Sequence, residues 1–367
     1  MKKTRSKIGD AWKGQLAEVA IPFLAVFSAL VIGAVLIWAS GASVYEAYKG
    51  LFQGMLGSKT AIADTFTAAA PYILTGLSVA IGFQCGLFNI GAEGQFYLGA
   101  LFSVIVGYAL TGLPGYVHLP LCIGAGIVGG CLWGAIPGYL KAKFGGHEVI
   151  NTIMMNYIGV KLVDFVVKKM IRDPAATVDR TPYIQKTAEL SKIFGTDYRI
   201  HAGVVIAIAM VFVVYLFVYR SKSGFEIRAT GINPNAARYA GMNVSWNIVL
   251  VMAVAGGLAG LAGAGEVLGL KHNLPAAFSS GYGYDAIAVA FLARSNPIAV
   301  FPAALLWGGL RNGAGLMQLR VGVSIDLINV IQALVIVFIA ADPIVRWIYR
   351  LPKKGKTAAI FSRGWGS

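Results

Sequence analysis

Charge is scarce in this chain: Asp, Glu, Lys and Arg make up 13% of its 367 residues, against roughly 25% in an ordinary globular domain. Acidic residues are the fewest, 16 against 31 Lys and Arg, which leaves a formal net charge of +15. With 57% hydrophobic residues and a mean hydropathy of +0.69, the composition excludes a soluble enzyme of this length and a disordered protein. A basic excess often signals nucleic-acid binding, but so few charged residues cannot build a solvated basic face, so no nucleic-acid partner is expected. Only three cysteines occur (Cys85, Cys122 and Cys131), each in an apolar run. They form no disulfide framework and read as small, inert hydrophobes. The four histidines, His118, His147, His201 and His272, are scattered without metal-ligand spacing. No G-x-S-x-G nucleophile elbow is present. Gly355-Lys356-Thr357 is not a phosphate-binding loop, because Arg350 stands where that motif needs its first glycine. Neither catalysis nor a metal or cofactor bound by this chain is expected.

What the sequence has instead is long apolar runs and 46 glycines spread through them. A spanning helix needs about 20 mostly apolar residues, and glycine lets such helices pack backbone to backbone. The runs are Val19–Ala39, Ala63–Phe83, Gln95–Leu110, Leu119–Leu140, Val149–Val167, His201–Tyr219, Asn247–Leu270, Tyr284–Ala293, Ile298–Met317 and Leu327–Ile348. This predicts an all-α polytopic integral membrane protein of about ten transmembrane helices, one or two of them broken or half helices. The short eighth run is the natural half-helix. A basic start before an apolar run also fits a signal peptide, but the run is too long and lacks a clean small-residue cleavage site. The first helix is therefore expected to be retained.

More than half of the 31 basic residues fall in the segments that this topology places inside, as the positive-inside rule expects. The exception is the basic external loop 168–200. Both termini are accordingly placed in the cytoplasm: an N-terminal arm over 1–18, a transmembrane domain over 19–348, and a basic tail over 349–367. A second long connection, 220–246, is cytoplasmic and contains Asn243-Val244-Ser245, a glycosylation sequon by chance.

Three polar constellations stand out. In the cytoplasmic connection, Asn233 suits a helix N-cap, Pro234 the first helical position, and Gly241 the residue that closes the last turn. The predicted two-turn helix Pro234–Ala240 is too short to stand alone. Ala236, Ala237 and Ala240 would give it a small-residue face that a partner could approach closely, although an ordinary helical connector has the same composition. Second, Asn89, Glu93 and Gln95 interrupt an apolar region, and Gly91 and Gly94 allow a helix break there. Polar groups at that depth either line a watery path or are satisfied locally, and a broken helix offers its positive end to a polar solute. A carboxylate at a cytoplasmic helix start explains Glu93 equally well. Third, on a helical wheel at about 100° per residue, Glu148, Asn151, Thr152, Met155 and Asn156 share an arc of about 140°. Such a stripe faces a pore or makes interhelical hydrogen bonds that hold the bundle. Lys161 and Asp164, three apart, read as an intramembrane pair. Glu266, Asp285 and Arg311 have no evident role, and Phe83 and Phe88 suit packing as well as stacking on a nucleobase.

The stretch from Ala229 to Gly241 (Ala-Thr-Gly-Ile-Asn-Pro-Asn-Ala-Ala-Arg-Tyr-Ala-Gly) resembles the cytoplasmic loop of ABC-importer permeases of the ribose and branched-chain amino acid class. Three further blocks, Gly86–Gln95, Glu148–Tyr157 and Gly281–Ala290, resemble the nucleoside and simple-sugar branch of that family, in the family's order and over nearly the whole chain. The Asn89–Gln95 block departs from ribose-type members by lacking an acidic-Leu-Ser run, which favours the nucleoside side. The resemblance implies a permease that forms half of a translocation pore in a bacterial cytoplasmic membrane. It implies a second permease, identical or homologous, as partner, two ATPase subunits below, and an extracytoplasmic solute-binding protein above. ATP and Mg would sit on the ATPase, and the short cytoplasmic helix (Gly231, Asn233, Pro234, Ala236, Ala237, Arg238 and Gly241) would dock into it. Asn89, Glu93, Gln95, Glu148, Asn151, Thr152 and Asn156 are the expected pathway residues. A simple-sugar permease and an ion-coupled secondary transporter using Glu93, Asp164 or Glu266 as carrier are the alternatives.

Overall fold

A computed structural model describes residues 2–195, 197–276, 278–279, 281–324 and 326–351, with side chains from Ala20 onward except at 340 and 342. The basic tail and Gly355-Lys356-Thr357 lie outside the described residues. Among the described residues the regular elements are helical, with two isolated bridges (Arg180 with Pro275, Lys192 with His201) in place of a sheet. The helices are α1 (Lys2–Ala39), α2 (Val44–Leu56), α3 (Lys59–Gln84), α4 (Ala92–Ala109), α5 (Gly115–Phe144), α6 (Glu148–Lys169), α7 (Ala202–Arg220), α8 (Lys222–Ile232), α9 (Pro234–Tyr239), α10 (Val244–Glu266), α11 (Tyr282–Leu292), α12 (Pro297–Val321), α13 (Asp326–Ala340) and α14 (Asp342–Ile348).

Six helical stretches are long and apolar enough to cross a membrane: Ala20–Ala39, Lys59–Gln84, Gly115–Phe144, Glu148–Lys169, Ala202–Arg220 and Val244–Lys271. The other expected spans correspond to helices that are shorter or less apolar. The last expected span is divided, since α13 stops at Ala340 and Pro343 starts a separate turn in α14. Helix α1 runs unbroken from Lys2, so the expected N-terminal arm is helical too. Helix α2 is an element that the apolar-run search does not find. It is short and amphipathic, with Glu46 in its first turn and Ser43 accepting from the Glu46 N–H as N-cap.

The chain forms two compact units, 1–61 with 310–367, and 62–309. In the first, α1 lies along α13, where Gly33 makes room for the Ile331 side chain. Asn312 holds the end of α2 by donating to the carbonyls of Gly54 (2.9 Å) and Ala61 (3.2 Å).

The second unit is organised by a glycine seam. Gly126, Gly130 and Gly134 recur every four residues on α5 and so share one face. They meet Gly256 and Gly260 of α10, and Gly99 of α4 closes the third side. A Cβ on Gly99 would strike Gly260, and one on Gly130 would strike the Gly256 carbonyl. Only glycine permits this approach, and van der Waals packing of backbone on backbone replaces the hydrophobic effect that lipid cannot supply.

Candidate functional site

The polar residues of the sequence converge where two helices begin. Helices α3 and α11 run side by side in the same direction. Tyr72 lies edge-on to Tyr282 (5.1 Å between ring centres), Gly76 backs onto Val289, and Gln84 donates to the Ser295 carbonyl (2.8 Å). Tyr282 therefore sits about 18 Å along α3 from its end at Gln84, at 1.5 Å per residue. Helix α11, with 11 residues, is about 16 Å long, half of a hydrocarbon layer. The described residues between Lys271 and Tyr282 are non-helical. From Leu274, whose N–H bonds the Thr181 hydroxyl (3.0 Å), the segment runs down beside α4. There Phe278 stacks on Phe96 (5.3 Å), and the Ser279 N–H donates to the Tyr97 hydroxyl (3.0 Å).

At the bottom of that descent the first turns of α4 and α11 abut. Gly283 comes so close to Ala92 and Glu93 that a Cβ there would overlap their backbone. The Gly283 N–H donates to the Glu93 carboxylate (2.6 Å). Glu93 is in the first turn of α4 and bonds the first turn of α11, so one buried carboxylate serves two positive helix ends. Ser279 accepts from the N–H groups of Gly281 (3.1 Å) and Tyr282 (3.4 Å) at the same junction.

Seven residues, Cys85 to Gly91, separate α3 from α4 and carry the second half of the site. The expected helix break is this segment. Gly91 is the N-cap of α4, while Gly94 is helical and makes room for the backbone of Met155 and Asn156. The Asn89 and Gln95 carboxamides bond each other reciprocally (3.1 and 3.3 Å), and Asn89 also accepts from the Gly91 N–H (3.0 Å). Asn156 reaches across from α6: it accepts from the Gly94 N–H (2.7 Å) and donates to the Ile90 carbonyl (2.6 Å). Gly94 has no intrahelical acceptor at that position, so a side chain 62 residues away caps the helix. Asn89, Gln95, Thr152 and Asn156 are fully buried or nearly so.

The structure thus brings Asn89, Glu93, Gln95, Thr152 and Asn156 together and leaves two predicted residues outside. Glu148 is paired with Lys141 (2.9 Å) across the turn from α5. Asn151 lies half-buried beside Gly146. Thr152 turns its hydroxyl back onto the Glu148 carbonyl (2.8 Å) and sets its Cβ against Gly91. Sequence reasoning missed Gly283, Ser279, Tyr97 and Trp133, whose indole N–H donates to the Met155 carbonyl (3.2 Å). These partners come from distant helices, and no local pattern marks them. Asp285 is not isolated, since it accepts from the Tyr72 hydroxyl (3.0 Å). Phe83 and Phe88 pack on each other (5.0 Å) and on Phe291. The expected pair of Lys161 with Asp164 is corrected: among the described residues Lys161 forms no ion pair, because it lies on the exposed face of α6.

Helix α9 follows local rules closely. Asn233 accepts from the N–H groups of Asn235 and Ala236 (both 3.0 Å), with Pro234 at the helix start. At the other end Gly241 has φ of +82°, a left-handed conformation that favours glycine. The Gly241 N–H bonds the Arg238 carbonyl and the Met242 N–H the Ala237 carbonyl (both 3.0 Å), a Schellman closure. Of the three alanines, Ala236 and Ala240 are exposed and Ala237 is buried, so the outward surface is Asn235, Ala236, Arg238 and Tyr239, the last 95% exposed. Gly231, at the end of α8, presses on Gln84 and Cys85 so closely that a Cβ would collide with their backbone. The α8–α9 segment is therefore fastened to the chain that leads into the Asn89 clasp.

Residues 61–340 match a family described as branched-chain amino acid transport system permease component. The chain is 40% identical to the guanosine ABC transporter permease NupP of Bacillus subtilis, over 93% of this chain and 99% of that protein. It is 34% identical to the nucleoside ABC transporter permease NupB of Lactococcus lactis, over 92% and 94% of the two chains. It is 32% identical to the glucose ABC transporter permease TsgB13 of Haloferax volcanii, over 87% and 86%. No solved structure matches it.

Proposed function

The chain belongs to the family of branched-chain amino acid transport system permease components, and on that premise we propose that it is the membrane-spanning subunit of an ATP-driven importer for nucleosides. The observation that carries the reading is the end-to-end likeness to a permease named for guanosine, 40% identical with 99% of that protein covered. The subunit supplies half of a translocation pore in the cytoplasmic membrane, with both termini in the cytoplasm, and pairs with a second permease. It is not itself catalytic and holds no cofactor: ATP and Mg belong to separate ATPase subunits, and an extracytoplasmic solute-binding protein delivers the substrate.

Two geometric features support the assignment of parts. A rigid two-turn helix with Arg238 and Tyr239 projecting from it is suited to seat in a groove of the ATPase. A junction of two helix N-termini at membrane depth, closed by Glu93 and flanked by carboxamides, is suited to border a polar solute's route. The second reading, a simple-sugar permease, draws on the 32% identity to a glucose permease.

Uptake of radiolabelled guanosine by cells carrying this permease with its ATPase and binding protein tests the choice. Uptake should vanish when this chain is deleted, and unlabelled adenosine should compete for it while glucose and ribose do not. Glucose uptake that depends on this chain, with no nucleoside competition, would overturn the nucleoside reading in favour of the sugar.

A further inference from the structure

Helix α11 ends at Leu292, and the chain turns into α12 through Arg294 and Ser295, with φ of +49° and +58°. Left-handed backbone is unfavourable for a residue that carries a Cβ, and two in succession persist only where the surroundings impose them. Ser295 is 3% exposed, and its hydroxyl has no hydrogen-bond partner among the described residues, so its side chain does not hold the turn. Its carbonyl is held instead, by the carboxamide of Gln84 (2.8 Å).

Gln84 also stands against the α8–α9 segment. A Cβ on Gly231 would collide with the Gln84 carbonyl oxygen and the main chain of Cys85. Gly86, with φ of +72°, passes beside the Gly231 carbonyl. Phe83 and Phe88 close on Phe291 (5.1 and 6.0 Å) and pack the end of α3 against the end of α11. One residue thus touches two elements, α8 with its main chain and the turn after α11 with its side chain. At its other end α11 is fixed on α4, where the Gly283 N–H bonds Glu93. Because α11 is anchored there, a shift of Gln84 is taken up in the Arg294–Ser295 turn.

We propose that Gln84 is a positioning residue for coupling: it holds the Arg294–Ser295 turn in its left-handed form, and a push from α8 through Gly231 releases it. On release the two residues relax to backbone that suits a Cβ and re-aim the start of α12. A few residues at the end of an element absorb the dihedral change in such a hinge. The coupling role rests on the importer reading above, whereas the held turn does not.

The test uses the assembled transporter in nanodiscs and proteoliposomes, with Gln84→Leu and Gln84→Glu, which keep the bulk of the side chain and lack its donor. Amide hydrogen exchange over residues 290–298 should speed at least tenfold in both. Ser295→Gly added to either should slow it again at least threefold, because glycine takes the left-handed form without penalty. Guanosine taken up per ATP hydrolysed should fall at least fivefold in both variants and recover with Ser295→Gly, at an unchanged amount of assembled complex. Exchange that is unchanged in both, or that Ser295→Gly does not slow, overturns the held turn. Faster exchange with unaltered uptake per ATP, or a loss of uptake that Ser295→Gly does not recover, overturns the coupling role and keeps the turn. Absence of ATP-driven uptake in the unsubstituted assembly overturns the importer reading, and exchange alone then decides the turn. Two variants are used so that poor folding of one leaves the other decisive.

Discussion

Replacing Asn156 by alanine removes two bonds at once and tests whether the clasp around Asn89 is held as described. The carboxamide is fully buried, and its partners are the Gly94 N–H and the Ile90 carbonyl. Interhelical side-chain hydrogen bonds in a membrane protein average about 0.6 kcal/mol, which gives about 1 kcal/mol for two. A buried backbone group left without a partner costs about 1–3 kcal/mol. That cost falls on the Gly94 N–H, which lies in the first turn of α4 with no helical acceptor and is buried from water, whereas the Ile90 carbonyl is only part-buried. Asn156→Ala should therefore lose about 1–3 kcal/mol on these grounds, whereas Asn151→Ala, outside the network, should stay within about 0.5 kcal/mol. Equilibrium unfolding in mixed micelles measures both, and Trp133, bonded to Met155, is a fluorescent reporter close to the change. A loss at Asn156 no greater than at Asn151 would refute the reasoning.

The paired substitution Ala236→Glu with Arg238→Glu places acid on the outward surface of α9 and should abolish solute-stimulated ATP hydrolysis while the permease still reaches the membrane. Unimpaired transport in that variant would remove the docking role. Gly283→Ala forces a methyl into the backbone of Glu93 and should lower stability by about 1–3 kcal/mol, the range for overpacking, and uptake with it. Gly265→Ala, where a Cβ meets nothing within 4 Å, should be neutral or slightly stabilising in the same unfolding assay. The Lys141–Glu148 pair is partly solvated, 31% and 14% exposed, so a double-mutant cycle should return no more than about 1 kcal/mol. A coupling energy well above that would mean that the pair is shielded in the assembly.

Legibility in the sequence followed the range of the interactions. Helix α9 was readable to within one residue, expected over Pro234–Ala240 and found over Pro234–Tyr239, because Asn233, Pro234 and Gly241 act through bonds to neighbours two to five positions away. The glycine-rich runs also announced close packing, though not which helices meet. The polar stripe on α6 was correctly gathered onto one helix, but its role divided. Thr152 and Asn156 turn into the bundle, and Glu148 is taken up by Lys141 across a turn. Periodicity locates a face without saying what it faces. The Glu93 partner, Gly283, is 190 residues distant and bonds through its backbone, so its residue type holds no clue. The Lys161–Asp164 expectation failed because residues three apart are neighbours in principle, yet the lysine turns outward with the exposed apolar face. Helix α2 escaped because an amphipathic helix of 13 residues is too short and too polar for a search tuned to membrane spans.

The glycine seam also bears on movement. Side chains between helices act as a compliant layer, which lets two rods slide or roll while rotamers readjust. Where α4, α5 and α10 touch backbone to backbone that layer is missing, and any sliding drives peptide groups into one another. These three helices must then behave as a stator during a transport cycle. The half-helix α11, whose Gly283 meets the backbone of Ala92 and Glu93, and helix α6, whose Met155 and Asn156 meet Gly94, are locked onto α4 in the same way.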